Sequence, residues 1–296
     1  MSGALDWLAD ALRADPLAFT ILVGAGVSRP AGLATGQDLL ALLAAGRGEA
    51  SAGSLVDWYV RTFGGWPSYE AIACAQGSAD GRTSPAELFE PTRAERAAGV
   101  KVPQAAHQAL ARLASAGYIR LFVTTNFDRL IETALADAGV PARVVAPATG
   151  VDPLVLPPDR VTVVKLHGDW ATMRPKVLAR RQTAYSDRRI VTMIGDIVAQ
   201  YHMIVCGWSG EWDVALRCAL ADGPSHRRMF WAAIDEPGAA AAIVISARRA
   251  EVIRIEGADR LFADLADRLL DAVPAGEATA AGQWTAAEPR VTPRPG

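Results

Sequence analysis

Gly24-Ala25-Gly26-Val27-Ser28 follows the apolar run Phe19–Val23 and precedes the helical pattern of Asp38–Leu43. A strand that ends in a Gly-rich turn opening a helix aims backbone N–H groups at an anion and lets a dinucleotide's pyrophosphate approach the chain. The spacing departs from G-x-G-x-x-G: Gly24 and Gly26 fit the first two glycines, Arg29 stands at the third, and Ser28 adds a hydroxyl. Later apolar runs are also followed by polar residues: Thr124-Thr125-Asn126-Phe127-Asp128, then Lys165-Leu166-His167-Gly168-Asp169, then Cys206-Gly207-Trp208-Ser209 continuing to Asp213, then Asp235. Taken singly, Asn126 or Asp128 fits a helix cap, His167 a hydrogen-bonded structural histidine, and Ser209 or Asp213 the start of a helix. Together they set a hydroxyl, a carboxamide, carboxylates and an imidazole around a phosphate turn.

These residues need a scaffold that brings them to one rim. Apolar, β-branched runs recur at Phe19–Val23, Ile119–Thr124, Arg143–Ala146, Val161–Leu166, Met203–Trp208, Met229–Ile234 and Glu251–Ile255. Helical patterns lie between several of them: Arg129–Ala138, stopped by Gly139 and Pro141, then Asp213–Leu220 and Ala258–Leu270. Alternation of this kind predicts an α/β, Rossmann-like, mostly parallel sheet with helices on both faces. Ligands bind outside the carboxyl ends of such strands, where the polar clusters fall. Residues 1–273 are expected to form one domain, with a helical insertion over about 41–103 after the first strand–helix unit. Pro274–Gly296, rich in Ala, Gly, Pro and Thr, is expected to be a flexible tail.

Composition narrows the function classes. The 296 residues are 51% apolar and 21% charged, with a net charge of −2. That balance gives no electrostatic case for direct nucleic-acid binding. No run approaches the roughly 18 apolar residues of a membrane-spanning helix. Cys74, Cys206 and Cys218 are widely spaced and form no C-x-x-C, which predicts reduced, buried thiols in a cytoplasmic protein and no metal site. Trp58, Trp66, Trp208 and Trp212 are candidate interface anchors, with core packing as the alternative.

From about Thr20 to Leu270 the chain resembles the sirtuin superfamily, in particular its bacterial branch linked to phage defence. The resemblance rests on G-A-G-x-S with a later G-L (Gly24–Leu33), T-T-N-F-D (Thr124–Asp128), K-L-H-G (Lys165–Gly168) and G-W-S-x-x-x-D (Gly207–Asp213). It implies that Gly24, Ala25, Gly26 and Ser28 line the phosphates and adjoining ribose of NAD. Asn126 then belongs to the nicotinamide–ribose pocket, Asp128 to the nicotinamide carboxamide, and His167 is the catalytic histidine near the ribose hydroxyls. Gly207 and Ser209 match the adenosine side, and Asp235 the adenine ribose. Two departures stand out. The two C-x-x-C pairs of the deacylase zinc ribbon are missing, and Ala34-Thr35-Gly36-Gln37-Asp38 replaces P-D-F-R.

The resemblance implies cleavage of the nicotinamide–ribose bond of NAD, with NAD as substrate and no metal. A neutral imidazole, with an ordinary pKa of ~6.5, can take a proton from a ribose hydroxyl or a water. A helix N-terminus carrying roughly half a positive charge would hold the pyrophosphate. Hydrolysis to nicotinamide and ADP-ribose is the expected outcome. Protein deacylation or ADP-ribosyl transfer, and a non-catalytic NAD or ADP-ribose sensor, are the alternatives. The same branch implies an NAD-depleting defence effector that is held in check by homo-oligomer assembly or a partner. A HerA-type ATPase is the expected partner, because the tail is too short for a fused Argonaute-binding domain.

Overall fold

A computed structural model describes residues 2–48, 55–65, 67, 72, 88–146, 154–169, 188–223 and 225–271. Cys74, Trp66, parts of the expected insertion and the expected tail Pro274–Gly296 lie outside the described residues. Seven strands form one sheet: β1 (Phe19–Val23), β2 (Leu121–Thr124), β3 (Ala142–Val145), β4 (Val161–Lys165), β5 (His202–Cys206), β6 (Met229–Ala233) and β7 (Glu251–Arg254). Every pairing is parallel, in the order β3-β4-β2-β1-β5-β6-β7. Each strand coincides with one of the apolar runs. A parallel strand covered on both faces has no solvent side on which to place polar residues, so it reads as a continuous apolar segment.

Alternate residues of each strand feed two cores. Ile21, Val23, Phe122, Val163, Ile204 and Phe230 pack under α1 (Ser2–Ala14) and later helices of the same face. Leu22, Val123, Val164, Val205 and Trp231 pack on the opposite face. The first layer is completed by α6 (Ala105–Ser115), α7 (Leu130–Asp137) and α11 (Ala258–Leu270), the second by α8 (Arg188–Gln200), α9 (Val214–Ala221) and α10 (Ala239–Arg248). The expected three-layer α/β architecture is therefore present.

The segment between β1 and β2 is helical in its described part. It contains the one-turn helix α2 (Ala25–Ser28), α3 (Gly36–Ala45), α4 (Leu55–Phe63), α5 (Arg93–Ala97) and α6, and no strand among the described residues. Leu39, Leu40, Leu43, Trp58, Tyr59 and Ile72 form a small core of their own. The turn after β1 opens a helix, but a one-turn helix separate from the Asp38–Leu43 pattern: the chain passes from α2 into a 3-10 turn at Arg29–Ala31 and leaves it through Gly32 at φ 79°. Pro30 lacks an N–H and Gly32 adopts the left-handed conformation, so the helix ends after one turn. α3 starts afresh with a reciprocal cap between Thr35 and Asp38. One further expectation is corrected. Cys218 is exposed, being on the outer side of α9, whereas Cys206 is buried. Trp58 and Trp208 follow the core-packing reading, Trp58 in the small core of the insertion and Trp208 on the second face of the sheet.

Two contacts fix the loops at the carboxyl edge. The first joins the turns after β1 and β5, neighbours at the point where the chain changes direction across the sheet. Gly24 N–H donates to Cys206 O and Gly26 N–H to Gly207 O, both at 2.9 Å. A Cβ on Gly24 would lie 2.4 Å from Gly207 O, and one on Gly207, at φ 72°, would lie 2.6 Å from Val27 N. Only glycines allow that approach. The second contact is electrostatic. Lys165, fully buried at the end of β4, donates through Nζ to Phe127 O and Asp128 O and to Glu132 Oε1 at 2.9 Å. Asp169 Oδ2 lies 3.3 Å from the same nitrogen, and Arg129 Nε donates to both Asp169 oxygens at 2.8–2.9 Å. Two cations and two carboxylates thus join the loop carrying Asn126 and Asp128 to the loop carrying His167.

Replacing Gly207 by Ala is expected to cost about 2–4 kcal/mol, since strain at positive φ and a backbone clash combine. Gly195→Ala in the exposed interior of α8, where a Cβ meets nothing within 4 Å, is expected to stabilise by about 1 kcal/mol. Urea unfolding of the two variants checks the opposite signs. Lys165→Met leaves buried carboxylates and two loop carbonyls without their cation and is expected to cost about 3–5 kcal/mol. Arg112→Ala, which removes a solvent-exposed pair with Asp267 at 2.9 Å, is expected to cost less than about 1 kcal/mol in the same measurement.

Candidate active site

A cavity of about 480 Å³ lies over the carboxyl ends of β1, β2, β4, β5 and β6. Its wall includes Ala25, Gly26, Ser28, Asn126, Asp128, His167, Gly207, Ser209 and Asp235. The fold thus brings together the polar clusters that the sequence scatters over more than two hundred positions. Gly24 is not part of the wall: its N–H is committed to Cys206 O. The N–H groups of Gly26 and Val27 are also engaged, with Gly207 O and Gly24 O. The glycines of this turn therefore serve loop–loop packing first. The one-turn α2 also carries far less dipole than a helix of several turns.

At the floor of the cavity the polarity of three side chains is dictated by their partners. Asn126 Nδ2 donates to Gly24 O at 3.3 Å and Ser28 Oγ at 3.1 Å. A backbone carbonyl only accepts, so the amide nitrogen must face it and Oδ1 must face away. That Oδ1 is buried and has no hydrogen-bond partner among the described residues. Below Ser28 lies His107, fully buried on α6, with Nε2 3.4 Å from Ser28 Oγ. Its Nδ1 accepts from Gln104 N–H at 3.3 Å, so the proton of the neutral ring sits on Nε2 and points at Ser28. Burial pushes the His107 pKa down against the pull of Asp128 and Asp259, which favours the neutral ring. Ser28 Oγ accepts from Asn126 and His107 together, leaving its own proton to donate. The floor therefore offers a hydroxyl donor from Ser28 and an amide acceptor from Asn126.

The other members of the site come from separate strand ends. Asp128 is buried, and its Oδ1 accepts from Leu130 N–H at 3.1 Å, at the start of α7. The helix-cap reading thus holds in part for Asp128 and not for Asn126, whose amide is turned to Ser28. His167, on the loop after β4, has Nε2 2.8 Å from Asp213 Oδ2. Asp213 also caps α9, accepting from Leu216 N–H through Oδ1 at 3.0 Å. Burial raises the Asp213 pKa, but the charge of His167, the Leu216 N–H and Arg217 outweigh it and hold the carboxyl below its usual value. Ser209 accepts from Glu211 N–H at 3.4 Å, and Asp235 is exposed at the rim. Cys206 lines the wall, but burial pushes its thiol up to about 12, so it stays protonated and is no nucleophile near neutral pH.

Three participants escaped sequence reasoning. His107 lies inside a helix rather than after a strand; its only signal is a polar residue on the otherwise apolar face of Ala106, Leu110 and Leu113. Asp213 was visible as a motif residue and as a helix start, but its distance to His167 depends on two loops remote in sequence. Lys165 stood inside a recognised motif, and its partners Phe127, Asp128 and Glu132 lie in the loop after β2 and in α7. Among the described residues, no group of His, Cys, Asp and Glu side chains has the arrangement of a metal site.

No curated protein matches the chain. Among solved structures it resembles one described as the structural basis for the mechanism and regulation of Sir2 enzymes, at 16% identity over 91% of this chain and 98% of that one, with a TM-score of 0.46. A Sir2 homologue in complex with NAD matches at 15% identity over 89% and 94%, with a TM-score of 0.47. Sir2Tm bound to a propionylated peptide matches at 14% over 88% and 96%, also at 0.47. The family model for a SIR2-like domain matches residues 120–253. That stretch runs from β2 to β7 and supplies Asn126, Asp128, His167, Gly207, Ser209 and Asp213 to the cavity. The stretch that is similar to a SIR2-like domain is thus the one that carries most of the polar residues of the cavity.

Proposed function

We propose that the chain is an NAD glycohydrolase, splitting the nicotinamide–ribose bond with water to give nicotinamide and ADP-ribose. The observation that carries this reading is the buried, partnerless Oδ1 of Asn126 beside the Ser28 hydroxyl, in a cavity that also holds His167. A buried acceptor without a donor costs about 1–3 kcal/mol, and a ribose hydroxyl or an attacking water supplies the missing donor. Asn126 then orients that oxygen, Ser28 donates to a neighbouring one, and His167 takes the proton released. The Asp128 carboxylate favours the cationic nicotinamide end of the dinucleotide, which loses its charge as the bond breaks. Ala25, whose N–H is not among those spent on the β5 turn, and Arg29 line the cavity where the phosphates are expected. Asp235 at the rim is assigned to the adenine ribose, and Gly207 and Ser209 to the adenosine side.

Water is favoured as the acceptor for two reasons. The Cys206 thiol is held protonated, and the sequence contains no C-x-x-C pair with which to build the ribbon that orders an acyl-lysine cleft. In this reading the protein depletes NAD in the cytoplasm as a defence effector. Control comes from homo-oligomer assembly or a HerA-type ATPase partner, as the resemblance implies.

The test is nicotinamide release from NAD by the full chain, alone and mixed with a candidate partner. Asn126→Ala and His167→Ala are each expected to lower release by about 10²–10⁴-fold while NAD binding, measured by calorimetry, persists. Release that depends on an acyl-lysine peptide would instead indicate a deacylase. Tight binding without release in every assembly state would indicate a sensor module.

A further inference from the structure

His167 and Asp213 meet over a distance that neighbouring loops do not explain. β4 and β5 are separated in the sheet by β2 and β1. At about 4.8 Å per strand that is three steps, or roughly 14 Å. The loop after β4 and the loop after β5 both lean inward across the cavity mouth until Nε2 and Oδ2 stand 2.8 Å apart. The Asp213 carboxylate is divided between two tasks. Oδ1 caps α9 through Leu216 N–H at 3.0 Å, and Oδ2 faces the imidazole. Capping alone needs one oxygen, and Asn or Ser would supply it as well. The second oxygen, with its charge, is the part that capping leaves unexplained.

We propose that Asp213 is the positioning carboxylate of His167: its charge, held against Nε2, raises the basicity of the ring, so that the two side chains accept a proton as one unit. Both side chains are largely withdrawn from solvent, with exposures of 17% and 12%, so an opposite charge at this distance strongly favours the imidazolium form. The catalytic half of the proposal rests on the NAD-cleavage reading above. In that reaction the oxygen of water bonds to the anomeric carbon of the ribose as the carbon–nitrogen bond breaks. The bonding pair goes to the nicotinamide nitrogen and cancels its positive charge, and the proton of the water passes to His167. With Asp213 ionised, that transfer turns a neutral ring beside a carboxylate into an ion pair, and no uncompensated charge is left buried.

Among the described residues, Arg217 of α9 acts on Asp213 and holds Gly210 O through Nη1 at 2.8 Å. Phe127 of the β2 loop faces the His167 ring with centroids 6.1 Å apart. From the same loop Asp128 shares the cavity wall, while Arg129, Lys165 and Asp169 neutralise one another beneath it. Arg29, Glu211, Asp235 and Glu236 are the remaining charged side chains on the described wall. Asp213 is in ion-pair contact with the ring.

The experiment compares the full chain with Asp213→Asn, which keeps an oxygen to cap α9 and removes the charge. Asp213→Ser is a second cap-preserving variant, and circular dichroism and thermal melting report folding. Imidazole titration by NMR, with the His167 signal identified by its loss in His167→Gln, reads basicity without any activity. The His167 midpoint is expected about one pH unit lower in both variants. The acid limb of kcat/KM for nicotinamide release is expected to shift to lower pH with it, and kcat to fall at least about tenfold with a smaller change in KM. An unmoved midpoint in folded variants overturns the proposal. So does a lowered midpoint accompanied by wild-type rate and pH profile. A lowered midpoint in a chain whose wild type releases no nicotinamide at any pH supports the pairing and overturns the NAD-cleavage reading instead.

Discussion

The approach of two backbone turns at the centre of the sheet is the constraint from which the rest of the site follows. β1 and β5 are neighbours, but the chain reaches β5 only after building the β2–β4 side. Their exits therefore diverge in sequence and converge in space. Gly24, Gly26 and Gly207 let the two turns touch without an intervening side chain, and two backbone hydrogen bonds close the contact. The N–H groups that a phosphate turn would lend to a ligand are largely spent on this closure. The glycines thus set the floor height of the cavity, and recognition falls to side chains above it.

Those side chains work because their partners leave them no choice of direction. A carbonyl forces the Asn126 amide to turn its oxygen to the cavity. A backbone N–H on one nitrogen of His107 forces the other to donate to Ser28. In a buried site each unmade hydrogen bond is costly, so a chain of donors and acceptors propagates one orientation from α6 to the floor. Lys165 does the same for the loops themselves. Its ammonium meets two carbonyls of the Asn126 loop and the carboxylates of Glu132 and Asp169. The loops that present the amide and the imidazole are thereby held in one register.

Much of the fold was legible before the structure. All seven strands coincide with apolar runs, and their ends differ by at most two residues, because hydrogen bonding rather than hydrophobicity ends a strand. The helix expected to open at the turn after β1 is split in two, α2 and α3. Pro30 and Gly32 carried the stop signal, and the capping pair Thr35 and Asp38 announced the true start of α3. Cys218 was expected inside and lies outside, since composition does not fix the helix face that a thiol occupies. Trp58 and Trp208 went to the cores because α4 and the β5 turn place them against other apolar residues.

The candidate site divides along the same line. Residue type and position after a strand identified Ser28, Asn126, Asp128 and His167 from the sequence, because a parallel sheet delivers every such residue to one edge. Which atoms face the cavity was decided by tertiary structure alone. His107 under Ser28, Asp213 opposite His167 and Lys165 beneath the Asn126 loop are contacts between elements distant along the chain. Local pattern encodes the period of an element and the chemistry of its ends. The partner of a buried polar atom is set by where two elements meet, and that is known only once the sheet has ordered its strands.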